Sequence, residues 1–469
     1  MPDSANSSTL DRRILIAAIV LALLHAGLAL WFASFTPYRS EGLVGRRPAP
    51  DIGAPDERAH ANYIQGLLKG SGIPVLDLDK MQSDKVYRAE QYENHQPPLY
   101  YLAAAGWGKL TGVADVAEQS AGLRLRALNA VFGAATVLAV FFGAWWGFRR
   151  PDLAVASALF PALLPMNVAL SGAISNDPLL FALMTWAMAV TALALRAGWS
   201  LKSALLVGVL TGLAILTKTT GIALLPVLLL AVLIRQAKRP TPIMVAAAVL
   251  GVVVFAGPWL VRNQSVYHDP LATNVFNKAF ADNPHKESIE TLPGGEGLGY
   301  WTNWVGWWTA RSFIGVFGYM DIFLNESGTP KTESGTDPNT LYRACLAVLA
   351  VVALGWVLSL GEPWAKQGGA VTCVNALLVL VVVFLFWRFN NVFFQGQARY
   401  LYPAIGPISI GFGSGLLAWG RKRPSIAIGA AATLLLALVI YAGIRVPNEF
   451  GRRSPSVSTG NDLPRGGVQ

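Results

Sequence analysis

Charged residues are scarce in this sequence. They make up 14% of its 469 residues, while 53% are hydrophobic; soluble domains average about 25% charged residues. Many apolar runs reach the roughly 20 residues that a helix needs to cross the hydrocarbon core of a bilayer. The composition excludes an ordinary soluble domain and predicts an all-α integral membrane protein.

Cysteine is almost absent. Only Cys345 and Cys373 occur, and both lie inside apolar runs. A disulfide framework and a cysteine-based metal site are therefore excluded.

The apolar pattern predicts about eleven transmembrane helices and three regions: a cytoplasmic N-terminus at 1–13, a polytopic domain at 14–444 and a polar, disordered tail at 445–469. The first run is longer than the 7 to 15 residues typical of a signal peptide, so we expect a retained anchor. The expected spans are 14–35, 127–147, 152–170, 178–195, 203–217, 221–235, 241–261, 341–360, 370–387, 400–419 and 425–444.

The cationic residues indicate the orientation. They cluster at 149–150, 196–202, 235–239 and 421–423, and the positive-inside bias places all four connections in the cytoplasm if the N-terminus is inside. This topology accounts for most of the formal charge of +10, so we expect no nucleic-acid partner. It also requires 97–110 to be a juxtamembrane or re-entrant helix, the alternative being a short true span.

Two long segments, about 36–126 and about 262–340, are then predicted on the outer side. Loops of this length are usually functional. The second contains Trp301, Trp304, Trp307 and Trp308, and tryptophan favours the membrane interface. We expect this second loop to skim the interface and to act as a lid over a cleft.

The first outer segment begins with two adjacent acids, in the sequence Pro55-Asp56-Glu57-Arg58-Ala59-His60. On a helix beginning near Pro55, an acid and His60 share a face, which can build a general base or a metal site. The alternative is a purely structural role, in which Asp56 caps the helix and Glu57 offsets the helix dipole. Asp56 and Glu57 are the first two catalytic candidates.

Further polar groups are predicted at the same membrane level. His95 and Gln96 precede the Pro97 helix, and Asn176 and Asp177 follow the third span. Asp177 is the third catalytic candidate, although it could simply cap the next helix. The other three residues are candidates for binding substrate.

Cations and amides complete the candidate substrate-binding set, together with His60. Lys218 stands alone between two apolar runs, where a cation normally faces a polar cavity or a partner such as a lipid phosphate; the alternative is a lysine that snorkels to the headgroups. Arg262 and Arg399 could clamp an anion, or could anchor helices to lipid. Gln397 and Tyr400 flank Arg399.

These motifs, in this order, resemble the GT-C superfamily of membrane glycosyltransferases, especially the protein-mannosyltransferase and aminoarabinose-transferase-like branch that uses polyprenyl-phosphate sugars. The likeness rests on the motifs at 55–57, 95–101, 176–178, 218–221, 262–263 with 269–270, and 397–400.

The resemblance implies a GT-C-like fold in the cell membrane, here a bacterial inner membrane, with the active site facing outward. It implies transfer of a sugar from a polyprenyl-phosphate donor to an envelope glycan, lipid or protein, with inversion, and Asp56 or else Glu57 nearest the acceptor hydroxyl. A divalent cation such as Mg²⁺ or Mn²⁺ is open, as are the sugar and the acceptor, which could be lipid A, cell-wall glycan, teichoic acid or protein.

Two other function classes compete with this hypothesis. A multi-pass transporter or flippase would bind a lipid-linked or small polar solute through the same outward charges, and inverted repeats would support it. The sequence shows no clear internal repeat, and its acids concentrate in loops rather than at mid-membrane. A noncatalytic assembly subunit is the third possibility.

Overall fold

The computed structural model describes residues 11–44, 47–234, 239–325 and 340–454, and most of these residues are helical. In the described part of the chain the α-helices are α1 Arg12–Phe35, α2 Glu57–Leu68, α3 Leu78–Ser83, α4 Lys85–Glu90, α5 Leu99–Leu110, α6 Gln119–Phe148, α7 Pro151–Leu163, α8 Pro165–Ser171, α9 Asp177–Ala197, α10 Leu201–Thr217, α11 Leu224–Leu233, α12 Pro242–Tyr267, α13 Thr273–Ala279, α14 Lys286–Glu290, α15 Trp307–Ile314, α16 Thr340–Ser359, α17 Pro363–Gln367, α18 Gly369–Asn390, α19 Ile405–Trp419 and α20 Pro424–Arg453.

Shorter elements join these helices. Tyr92–His95, Thr219–Ala223 and Ala398–Ala404 are 3-10 helices, and Tyr300–Gly306 is a π-helix. Two small antiparallel hairpins pair β1 Gly42–Val44 with β2 Arg47–Ala49, and β3 Val316–Phe317 with β4 Ile322–Phe323.

The predicted all-α membrane class is confirmed, whereas the count of eleven spans is not. In the described part of the chain, seven helices are long and apolar enough to cross a membrane, namely α1, α6, α9, α12, α16, α18 and α20. The bent pair α7 and α8 would make an eighth. The predicted spans at 203–217, 221–235 and 400–419 are helical, but their helices α10, α11 and α19 are shorter than those seven. They have 17, 10 and 15 residues.

The break between α7 and α8 shows how sequence shapes the bundle. Pro165 disfavours a helical conformation of the residue before it, and the two helices meet at 64°. The break frees carbonyl groups, which buried side chains satisfy: His25 of α1 bonds the carbonyl of Ala162 at 3.0 Å, and Asn167 donates to that of Pro161 at 2.8 Å. A kink in the bilayer interior thus keeps its polar groups paired.

The two long loops are structured. In the first, α5 has 12 residues, about 18 Å of helix, which is too short to cross a 30 Å core; this agrees with the expected juxtamembrane helix. The second predicted loop begins with the last turns of α12 and carries α13, α14, the π-helix, α15 and the second hairpin. Residues 326–339 of that loop lie outside the described residues.

The predicted boundary of the tail at Arg445 is corrected. Helix α20 continues to Arg453, because its last turns are anchored: Glu449 and Arg453 are both buried, and Arg453 pairs with Asp321. Residues 455–469, together with 1–10 at the N-terminus and 235–238 of one cationic connection, lie outside the described residues.

Candidate active site

Asp56 stands at the start of α2 but does not cap it. Its φ of 64° is left-handed and its carboxylate makes no capping bond. One carboxylate oxygen instead accepts from Arg399 at 2.6 Å and the other accepts from the Tyr92 hydroxyl at 2.9 Å. The conformation, unfavourable for a residue with a side chain, thus turns the acid away from its own helix and towards a residue 343 positions away.

The electrostatics of Asp56 follow from these partners. Burial opposes ionisation of the carboxyl, but the Arg399 guanidinium, His60 and the Tyr92 hydroxyl favour it and lower the pKa of Asp56 to about 2. Asp56 is therefore a carboxylate at neutral pH.

A second acid and cation pair at the same end of the bundle. Asp177, the first residue of α9, is 2% exposed, and its Oδ1 lies 2.5 Å from Nζ of Lys218 at the end of α10. The Asp177 carboxylate bonds Lys218 rather than a backbone N–H of α9, whose N-cap residue is Asn176, so the helix-capping interpretation is wrong for this residue too. Its Oδ2 is buried with no hydrogen-bond partner among the described residues.

Tyr400 lies between the two ion pairs. Its ring centroid is 5.9 Å from Nζ of Lys218 and 5.3 Å from Cζ of Arg399. Asp56, Arg399, Asp177 and Lys218 therefore form one charged cluster, assembled from four segments that are separate in sequence. We call these four residues the paired-charge cluster.

The two predicted histidines are buried beside this cluster. His60 Nδ1 is 2.8 Å from the Tyr101 hydroxyl, and the Tyr101 ring stacks on Tyr63 at 3.7 Å. His95 Nδ1 bonds the Tyr92 carbonyl at 2.9 Å, and burial lowers the pKa of His95 to about 4, against the opposing effect of that bond. Burial also lowers the pKa of His60, against the attraction of Glu93 and Asp56.

Glu93 is a site residue that the sequence interpretation missed. It lies between Tyr92 and His95, is 7% exposed, and its Oε2 is buried without a hydrogen-bond partner among the described residues. Burial raises the pKa of Glu93, against the attraction of His60. An acid two residues before the His95 motif was visible in the sequence, but nothing there indicated that it faces inward.

We expect Glu93→Gln to stabilise the protein increasingly as pH rises. A carboxyl whose folded pKa is raised contributes its stability below the unfolded pKa of about 4.3 and loses it as pH rises through the folded pKa. Thermal unfolding in detergent at pH 5 and pH 8 should therefore give a larger gain in melting temperature at pH 8. A gain that is equal at both pH values, or larger at pH 5, would contradict the raised pKa.

Glu57 occupies a different environment from Asp56. Its carboxylate accepts two bonds from Arg126, at 2.7 and 2.6 Å, and one from the Ile174 amide at 2.9 Å. Arg126 also donates to the carbonyls of Ala33, Thr36 and Pro37. The pair ties the end of α1 to α6 and to the segment before Asp177.

Of the remaining predicted residues, Asn176 and Gln96 contact each other, whereas Arg262 lies apart from Arg399. Asn176 is fully buried and its Nδ2 lies 3.4 Å from Oε1 of Gln96, which brings the motifs at 95–96 and 176–177 together. Arg262 and Arg399 do not share partners: Arg262 donates to the Pro74 carbonyl at 2.6 Å and lies over the Trp259 ring. The hypothesis that the two arginines clamp one anion thus lacks a shared contact.

Gln397 lies just before Arg399. Its Nε2 donates to Oε1 of Gln395 at 3.0 Å, and its own Oε1 is buried with no partner among the described residues. Gln397 therefore retains an acceptor that a substrate hydroxyl could use.

A small cavity of about 50 Å³ adjoins the paired-charge cluster. Pro55, Ser175 and Arg399 line one side of it, and Met320 and Phe450 line another. The second hairpin and the end of α20 therefore wall the space beside the Asp56–Arg399 pair. Within the described ranges, no three His, Cys, Asp or Glu residues are grouped so that they could hold a metal ion.

Comparison with known proteins confirms the resemblance to GT-C glycosyltransferases. The family model of dolichyl-phosphate-mannose-protein mannosyltransferases matches residues 83–260, which include His95, Asn176, Asp177 and Lys218. No curated protein sequence matches the chain.

Solved structures show the same fold. An apo oligosaccharyltransferase from Archaeoglobus fulgidus superposes with a TM-score of 0.53 at 13% identity, over 96% of this chain and 57% of that one. The same enzyme in complex with Zn and sulfate gives 0.52 at 12% identity, over 91% and 53%. Apo ArnT from Cupriavidus metallidurans gives 0.38 at 18%, over 86% and 76%, which is too low to add to the argument. The chain spans about half the length of the archaeal enzyme and has a GT-C-like membrane fold.

Proposed function

We propose that this chain is a membrane glycosyltransferase that moves a sugar from a polyprenyl-phosphate donor to an envelope glycan, lipid or protein on the extracytoplasmic face. The observation that carries the proposal is the paired-charge cluster, in which two acids and two cations from distant segments meet beside a cavity. The family match supports a transferase. The oligosaccharyltransferase on which the chain superposes is also an enzyme that transfers sugars, and its fold is compatible with the proposal.

The cations of the cluster are suited to the phosphate of the donor. As the bond from the anomeric carbon to the phosphate oxygen breaks, its electron pair leaves negative charge on the phosphate, and a positioned cation stabilises that charge. Arg399 has one nitrogen on Asp56, whereas its Nε is buried without a partner in the described part of the chain. Arg399 and Lys218 are our candidates for the phosphate site.

Asp56 is our candidate for the general base. It would take the proton of the acceptor hydroxyl as that oxygen attacks the anomeric carbon. With a pKa of about 2, Asp56 is a weak base while Arg399 holds it. A donor phosphate that draws the guanidinium away would raise the pKa of Asp56, so that binding of the donor would activate the base.

The other residues support this centre in different ways. Asp177 would orient Lys218, and Glu57, with both oxygens on Arg126, would hold the scaffold. His60, His95, Gln96, Asn176, Gln397 and Tyr400 would contact the sugar or the acceptor. Arg262, bound to the loop that contains Pro74, would position the first outer loop rather than the phosphate. We propose a bacterial inner membrane as the location and inversion as the stereochemical course.

The proposal is tested by mass spectrometry of envelope glycans and lipid-linked sugars in cells that carry no copy, the intact protein, or Lys218→Met. Intact protein should add a sugar-sized mass to an acceptor. The Lys218→Met variant should not, and the lipid-linked sugar should accumulate. Lys202→Met removes an exposed lysine from the other end of α10 and should behave like the intact protein.

Removal of Lys218 leaves Asp177 buried and unpaired, which could unfold the protein. The double variant Lys218→Met/Asp177→Asn removes both charges and keeps the test valid. A folded double variant that transfers sugar normally would exclude a role for Lys218. Cells whose glycans do not change with intact protein, but whose uptake of a lipid-linked or polar solute does, would favour the transporter.

A further inference from the structure

A cleft of about 520 Å³ lies within the membrane-spanning bundle, between α16, α18 and α19. Its walls are mostly apolar and aromatic, and Trp356 lies on the α16 side. It ends at Trp364 of α17, at the end of the bundle that carries the cationic connections. None of its lining residues also lines the cavity beside Asp56. The cleft is therefore a second space in the molecule, which the proposed reaction does not use.

Asn375 is the one amide side chain among the described residues that line this cleft, whose other polar lining residues are the hydroxyl-bearing Ser359, Thr372 and Ser414. Asn375 of α18 is 9% exposed, and its amide makes no hydrogen bond to any residue in the described ranges. An amide without a partner is costly in an apolar environment, and polar residues inside membranes usually have a functional partner. The amide therefore indicates that a ligand with a hydrogen-bonding group occupies the cleft.

The depth of Asn375 indicates what that group is. Asn375 lies six residues into α18 from Gly369, about 9 Å along the helix. This places Asn375 in the third of α18 that is nearest the boundary between the hydrocarbon core and the polar layer. The ester carbonyls of glycerophospholipids lie at this boundary, and a carbonyl accepts from an amide.

The rim of the cleft is basic. A neighbouring cavity of about 100 Å³ shares Ser359 and Trp364 with the cleft and is lined by Arg150 and Arg421. Arg150 pairs with Asp152 and lies 4.9 Å from the Trp364 ring centroid, and the Arg421 side chain, although paired with Glu362, is 73% exposed. Further cations lie nearby in the sequence, at Lys366, Lys422 and Arg423. Such a rim attracts an anionic lipid headgroup.

We propose that the cleft binds an anionic glycerophospholipid from the leaflet on the side of Arg150 and Arg421, which the positive-inside bias makes the cytoplasmic leaflet. One acyl chain lies along the apolar wall, an ester carbonyl accepts a hydrogen bond from the Asn375 amide, and the phosphate lies at the basic rim. The site is at the opposite end of the bundle from the paired-charge cluster and does not depend on the proposed transfer reaction.

Quenching of tryptophan fluorescence tests this site, because Trp356 and Trp364 line the cleft. The full chain is placed in phosphatidylcholine nanodiscs with rising fractions of brominated phosphatidylglycerol or, separately, brominated phosphatidylcholine. We expect saturable quenching at low fractions of the anionic lipid, which the double variant Trp356→Phe/Trp364→Phe largely removes. Asn375→Leu should raise the half-saturating fraction by about three- to tenfold, and Ala376→Phe, which fills the cleft, should abolish saturation.

Val383→Phe is the matched control, since Val383 is exposed on the same helix but does not line the cleft. Quenching that is linear and equal for both lipids would show general contact with the bilayer only and would overturn the proposal. So would Asn375→Leu behaving like Val383→Phe. Displacement of the brominated lipid by undecaprenyl phosphate, but not by unlabelled phosphatidylglycerol, would assign the cleft to the carrier lipid instead.

Discussion

Replacing Asp56 by asparagine should lower the rate constant of sugar transfer by about 10²- to 10⁴-fold, the usual contribution of a general base. Asparagine keeps the shape of the side chain and can still accept from Arg399 and Tyr92, but it cannot take a proton. Because the guanidinium would be held less tightly, the phosphate of the donor should bind at least as well as before. We therefore expect kcat to fall while the KM for the donor does not rise.

An assay of the purified enzyme with a lipid-linked sugar measures kcat and the KM for the donor separately. Asp79→Asn removes an exposed acid from the same outer loop and should leave both constants unchanged. A rise in the donor KM with unchanged kcat would mean that Asp56 only positions Arg399. An unchanged rate would assign the base to another acid, and Glu93, whose pKa burial raises, would be the next to test.

The second large effect concerns stability. Arg126→Met should lower the free energy of unfolding by about 3–5 kcal/mol, the usual cost of leaving one member of a buried ion pair uncompensated. Arg126 and Glu57 are 2% and 5% exposed at their side chains, and three carbonyls would also lose their donor. Denaturation in detergent micelles measures the change.

Two variants control this prediction. Arg124→Met removes an exposed arginine two residues before Arg126, on another face of α6. This variant should lower the free energy of unfolding only slightly. The double variant Arg126→Met/Glu57→Gln should recover part of the loss, because no charge is left buried. If Arg126→Met is as stable as Arg124→Met but is inactive, the pair acts in the reaction, and our structural assignment of Glu57 is wrong.

Helix bounds agree with the sequence prediction over most of the chain because apolar length is a local property. The predicted span at 178–195 is found as Asp177–Ala197, and that at 370–387 as Gly369–Asn390. Predictions that depend on packing were less accurate. The short helices at 201–217 and 405–419 are helical as predicted, but whether 17 or 15 residues cross a bilayer depends on their tilt and neighbours.

The candidate site illustrates the same distinction. Asp56 and Glu57 are adjacent acids, and the sequence does not distinguish their roles. In the structure the backbone at Asp56 is left-handed, and Asp56 pairs with Arg399 whereas Glu57 pairs with Arg126. Glu93 carried no signal that would separate it from other loop acids. Its importance follows from burial, which is a property of the folded loop.

The sequence by itself determined that this is a helical membrane protein and which segments carry polar groups at one end of the bundle, because hydrophobic length and charge bias act residue by residue along the chain. Only the tertiary structure decided which acid meets which cation, that Arg262 and Arg399 have different partners, and that Asn375 faces an apolar cleft. Those outcomes depend on contacts between segments that are 41 to 343 positions apart in the acid–cation pairs, and such contacts arise only when the helices pack.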